Sequence, residues 1–153
     1  MKLYVVRHGD ALTADTDATR PHSQKGISDA QKMAAFLKSS AVKVDCVYQS
    51  GLKRAEQTAE ILAKELKLGC PVEQKDHLKP DDDVDLFIQS IRNETGDLMI
   101  VGHLPHLSHL VSKLVINSLD PQIIEFKKGA VVLLEKESDR FFRIKWFVVP
   151  KLL

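Results

Sequence analysis

Short continuous apolar runs alternate along the chain with longer stretches in which apolar residues recur every three or four positions. Leu3-Tyr4-Val5-Val6 reads as a fully buried strand, and residues 46–48 and 98–101 read the same way. Short apolar runs bounded by polar residues suit strands covered on both faces. Between them, Ile27, Ala30, Ala34 and Leu37 share one helical face after Gly26. Leu52, Ala55, Ala59, Leu62 and Leu66 form a second stripe, which Gly69 and Pro71 bring to an end. A short strand is predicted at 71–74, and a helix through Leu86, Phe87, Ser90 and Ile91 behind the acidic run Asp81-Asp82-Asp83. Pro105 marks a helix start, and Leu107, Leu110, Val111 and Leu114 continue it. Two last strands, 131–135 and 142–149, flank the polar turn Glu137-Ser138-Asp139, with Trp146 and the phenylalanines of the last strand read as core. Strands alternating with helices predict an α/β protein: a three-layer α/β/α sandwich around a mostly parallel sheet, its last strands antiparallel. Residues 10–25 are left as a long polar loop, and loops of that length are usually functional.

Composition narrows the function classes. The 153 residues suit one domain, 1–153, with no repeat or linker to divide it. A net charge of +1 gives no general electrostatic case for nucleic acid or acidic membranes. Cys46 and Cys70 lack metal-site or redox spacing and read as buried free thiols in a reducing compartment. The N-terminal apolar stretch is too short for a signal peptide, and no run approaches a membrane span. The expectation is a cytoplasmic monomer.

Three strand ends carry the candidate chemistry. The first ends in Arg7-His8-Gly9, the second in Gln49-Ser50 with Arg54 in the first turn of the next helix, the third in Gly102-His103. If these strands are parallel, the groups converge on one sheet edge, where α/β proteins bind ligands. Helix N-termini add N–H donors there. Two histidines and two arginines without a carboxylate make a cationic pocket for a tetrahedral dianion rather than a metal site, and they favour phosphoryl transfer. A neutral imidazole at position 8 serves as nucleophile if its far nitrogen donates to a backbone carbonyl, such as that of Gly9.

These residues resemble the histidine phosphatase superfamily, and within it the short phosphohistidine phosphatases of the SixA family. The matching segments are Arg7-His8-Gly9, Arg20-Pro21 with Gly26, the stretch from Ser50 to Ala59, and Gly102-His103-Leu104-Pro105. The resemblance implies the phosphoglycerate mutase-like fold and a metal-independent phosphatase acting through a phosphohistidine intermediate on His8. Arg7, Arg54 and His103 correspond to the rest of the catalytic pocket. Arg20 corresponds to a further phosphate-binding arginine, with Gly9 beside the phosphate. No cofactor is implied.

The implied substrate is a histidine-phosphorylated protein of the phosphorelay kind or a small phosphorylated molecule. Relatives acting on esters carry a carboxylic acid two residues after a leucine, where Leu78-Lys79-Pro80 here offers proline. Imidazole leaves more readily than an alkoxide, so the missing acid favours a phosphoramidate. Asp10, Asp81 or Asp82 remains available from the loops. A phosphomonoesterase of small metabolites and a non-catalytic phosphate-binding module are the alternatives.

The remaining histidines read as bland. His103, His106 and His109 have helical spacing but no completing cysteine or carboxylate, so His106 and His109 are expected at the surface or partly packed. His22, after Arg20-Pro21, is expected in solvent with an approach to the pocket as the alternative, and His77 lies near the region of a possible acid.

Overall fold

The computed structural model describes residues 1–153. Six strands form one sheet: β1 (Lys2–Arg7), β2 (Cys46–Gln49), β3 (Val72–Gln74), β4 (Leu98–Gly102), β5 (Val131–Lys136) and β6 (Phe142–Val148). Their spatial order is β3-β2-β4-β1-β5-β6. The first four pair in parallel, while β5 joins β1 and β6 joins β5 antiparallel. Alternation along the strands divides the core into two halves. Leu3, Val5, Leu98 and Ile100 face one side, with Phe87, Leu107 and Leu110. Tyr4, Val6, Met99 and Val101 face the other, with Met33, Leu37, Ala59 and Leu62. The first half lies under α3 (Val84–Ser90) and α4 (His106–Ile116), the second under α1 (Gln24–Ser39) and α2 (Lys53–Glu65). The expected three-layer sandwich is therefore present. No helix is long and apolar enough to cross a membrane.

Several local expectations need correction. Helix α1 begins at Gln24, ahead of Gly26, because Ser23 caps it by accepting a hydrogen bond from the Gly26 N–H. The 10–25 loop is less irregular than its composition suggests, with a 3-10 turn at Asp17–Thr19 and a bridge between Ala11 and His22. Pro105 precedes α4 as its cap rather than opening it. Phe142 is buried as expected, but Trp146 and Phe147 are only half-buried, since β6 is an edge strand that the helices cover incompletely. Cys46 and Cys70 are free thiols, as expected, but half-buried: one opens β2 next to the edge strand β3, the other precedes β3.

Candidate active site

Sheet register assembles the site. Arg7 lies level with Gly102 across the β1–β4 pair, and Gln49 lies level with Val101 across β2–β4. The residues just past these strands, His8, Ser50 and His103, therefore emerge side by side. Strands about 4.8 Å apart set the spacing of such neighbours, and the His8 and His103 rings stand 4.9 Å apart. The His8 N–H donates to the Gly102 carbonyl at 3.0 Å, which continues the ladder one residue into the site.

The tautomer of His8 follows from its partner. Nδ1 lies 2.7 Å from the Gly9 carbonyl oxygen, which can only accept, so Nδ1 carries the proton. The Nε2 lone pair is left free. Burial, chiefly, with the charges of Arg54, Arg7 and Lys128, pushes His8 down to about 4, and the Gly9 hydrogen bond only partly opposes this. Burial, then the charges of His8 and Arg54, pushes His103 down to about 3. Ser50 Oγ lies 2.6 Å from His103 Nε2 and holds that ring in place.

Both imidazoles are neutral in the folded chain, while an unperturbed histidine titrates near 6.5. Between these values the unfolded chain binds more protons than the folded one. The contribution to stability is thus complete above about pH 6.5 and is lost as pH falls through about 4. The melting temperature should drop over this interval, and His103→Gln should show a shallower drop; an equal slope in the variant would contradict the assignment.

The two arginines have unsatisfied donors. Arg7 Nη1 donates to the Phe126 carbonyl at 2.8 Å. Arg54 Nη1 donates to the Asp17 carbonyl at 2.9 Å, and its Nη2 pairs with Asp17 Oδ2 at 3.2 Å. The Nε atoms of both, and Nδ1 of His103, are buried without any partner. Buried polar atoms rarely stay unpaired. These three unpaired atoms belong to side chains gathered at or beyond the ends of β1, β2 and β4.

A hydrogen-bonded support lies beneath. Thr58 Oγ1 donates to the Arg54 carbonyl at 2.8 Å and accepts from the Gly9 N–H at 3.1 Å. Its single proton is thereby committed, so His22 Nε2 donates to it, at 2.6 Å. His22 is consequently buried, contrary to the expectation of a solvated loop histidine. The Gln57 side-chain oxygen accepts from the His22 N–H at 2.7 Å. Thr58→Val should strand two buried donors and cost about 2 kcal/mol of stability, with Thr58→Ser near wild type in urea denaturation. Equal stability of all three would remove this role.

His8, Arg7, Arg54 and His103 are brought together, with Gly9 orienting His8. Arg20 is not placed in the same way. Its Nε donates to the Leu12 carbonyl and its Nη1 pairs with Asp17 at 3.4 Å, so it reaches Arg54 only through that carboxylate. Asp17 is the residue the sequence reading misses; the only signal is its position three residues before Arg20. His106 is fully buried rather than superficial, its ring edge-on to Phe87 and both nitrogens unpartnered. His109 is partly packed, as expected, and accepts from the Gln122 amide. His103, His106 and His109 thus face three different surroundings.

The carboxylates nearby are already engaged. Asp10 receives Lys128 at 2.8 Å and the Ser23 hydroxyl at 2.6 Å, and these hydrogen bonds hold it below the usual carboxylate range. Burial pushes Asp17 up, but Arg54 and Arg20 together outweigh it and hold it low. Asp82 accepts from the Lys79 N–H. His77, in a left-handed conformation, lines a depression with Asp82 that adjoins the site through Ser50.

Residues 3–80 match the model of the histidine phosphatase superfamily (branch 1). The chain is 32% identical over 155 residues to the phosphohistidine phosphatase SixA of Escherichia coli (strain K12), covering 98% of this chain and 94% of that one. The structure of the protein histidine phosphatase SixA complexed with tungstate superposes with a TM-score of 0.89, at 29% identity over 99% of each chain. The alpha-ribazole phosphatase of Shigella flexneri shares the fold, with a TM-score of 0.78 and 19% identity over 98% of this chain and 96% of its own.

Proposed function

The chain belongs to the histidine phosphatase superfamily, and on that footing we propose that it removes phosphate from phosphohistidine carried on a protein, with His8 as nucleophile. The observation that carries this reading is the convergence of Arg7, Arg54 and His103, each with a buried unpartnered nitrogen, at the strand ends where His8 keeps its Nε2 free. A phosphoryl group seated there finds N–H donors for its oxygens and an imidazole lone pair for its phosphorus. The two guanidiniums stay charged at working pH and stabilise the charge on the equatorial oxygens as the transition state forms.

His8 Nε2 attacks phosphorus, a P–N bond forms to His8, and the P–N bond to the substrate imidazole breaks. That imidazole, protonated by solvent on its other nitrogen, departs as the neutral ring with the bond's electron pair. Water then attacks the phosphoryl group on His8, loses a proton to solvent, and releases phosphate with free His8. No step draws on a metal or an organic cofactor.

The choice of phosphohistidine over an ester rests on the carboxylates. Asp10 and Asp17 are both held ionised by cations, so neither is suited to protonate an alkoxide at neutral pH. The SixA relatives named above are described as phosphohistidine and protein histidine phosphatases, which supports the same reading. A histidine-phosphorylated peptide should be turned over at least about a hundredfold faster than an alkyl phosphate ester, the order of a missing general acid. Faster hydrolysis of the ester would overturn the reading in favour of a metabolite phosphatase.

A further inference from the structure

A groove of about 770 Å³ opens beside the phosphate pocket, with Arg7 in its wall. Its apolar strip is formed by Ile123, Ile124, Phe147 and Val149, which lie half-buried at the margin of the core. Lys25, Lys127, Lys128 and Lys151 stand exposed around that strip, so with Arg7 the lining holds five cations against two carboxylates, Asp29 and Glu125. The whole chain has only one cation in excess, 22 against 21. The imbalance is therefore concentrated here.

The groove is continuous with the site through the backbone. The segment that lends Phe126 O to Arg7 also donates Gly129 N–H to the carbonyls of Arg7 and His8, and it carries Lys127 and Lys128 into the groove. Lys25 pairs with Asp29, Lys127 with Glu125 and Lys128 with Asp10, and Lys151 has no ion-pair partner. The Lys127–Glu125 pair is exposed on both sides and exchanges partners at little cost, whereas the Asp29 under Lys25 is buried. A free phosphorylated amino acid would fill the anion pocket and leave this groove untouched.

Resting on the phosphohistidine reading, we propose that the groove docks an acidic segment with an apolar face from the protein that bears the phosphohistidine. Aspartates and glutamates along its flanks meet the lysines, and its apolar face lies on Ile123, Ile124 and Phe147. The phosphoryl group then enters the pocket at Arg7. Charge complementarity of this form acts mainly on encounter and on selection among partners, so it should enter KM rather than kcat.

The test compares two phosphohistidine peptides with identical central residues, one flanked by Asp, Glu and Leu and one by Lys and Leu, together with free phosphohistidine. The wild type should favour the acidic peptide by at least about tenfold in kcat/KM, with the preference shrinking as salt is raised. Lys127→Glu/Lys151→Glu should abolish or invert that preference through KM, with free phosphohistidine turned over as in the wild type. Lys127→Gln/Lys151→Gln should lie between the two and guards against a folding defect in the reversal. A wild type indifferent to peptide charge, or a preference that survives the double reversal, overturns the proposal and leaves the groove to another occupant. A wild type inert on free phosphohistidine and on both peptides instead removes the phosphohistidine reading itself, and the docking proposal with it.

Discussion

His8→Ala is expected to reduce turnover of a histidine-phosphorylated peptide by about 10⁴-fold or more, the scale seen when a nucleophile is removed. The same variant should still fold and still bind inorganic phosphate within about tenfold of the wild type, because Arg7, Arg54 and His103 keep their donors. Arg54→Ala should behave oppositely in the second respect: phosphate binding and turnover should fall together. The contrast separates a nucleophile from a clamp. His8→Ala also removes a buried neutral imidazole whose protonation opposes folding, so its melting temperature should fall less steeply than that of the wild type between pH 6.5 and 4. Turnover retained in His8→Ala, measured by release of phosphate from the peptide, would contradict the assignment.

Gly26→Ala should be the most damaging single-methyl change in the support of the site. Gly26 lies in the first turn of α1, where alanine would ordinarily favour the helix by about 1 kcal/mol. Here a Cβ would stand 2.1 Å from the Asp10 carbonyl oxygen, 3.0 Å from its carbon and 3.1 Å from its nitrogen. No side-chain rotamer relieves a clash with backbone, so the helix or the Asp10 segment must move. Overpacking of that severity costs about 3 kcal/mol, which outweighs the propensity gain. The displacement reaches the chemistry as well. Asp10 O accepts from the Ser23 N–H, and a side chain on the preceding Gly9 would itself lie 3.1 Å from Gly26 O and from His22 Nε2. The urea midpoint and kcat/KM should fall together; a variant as stable and active as the wild type would show that the segment gives way freely.

The architecture is legible because its signals are local. Three of the four parallel strands, β1, β2 and β4, are short apolar runs, each helix shows its stripe, and three strand ends carry Arg7-His8, Ser50 and His103 in plain sight. The alternating pattern of strands and helices is enough to place those ends on one edge. What stays hidden depends on distant partners. His22 looks like a loop residue until Thr58, 36 positions away, supplies its acceptor. His106 has the spacing of a surface histidine, and only its packing against Phe87 buries it. Asp17 carries no motif, and its meaning comes from lying between Arg54 and Arg20. Trp146 reads as core from its hydrophobicity, whereas burial at that position depends on β6 being an edge strand.

The most direct test of the account is a rapid-quench experiment with a peptide carrying radiolabelled phosphate on histidine. The quench is alkaline, since phosphohistidine survives base and is lost in acid. Within the first turnover the label should appear on the fragment containing Arg7-His8-Gly9 and then decay to free phosphate, with no label on His8→Ala. Label on any other residue, or release of phosphate that leaves the chain unlabelled at every time point, would contradict a covalent intermediate on His8.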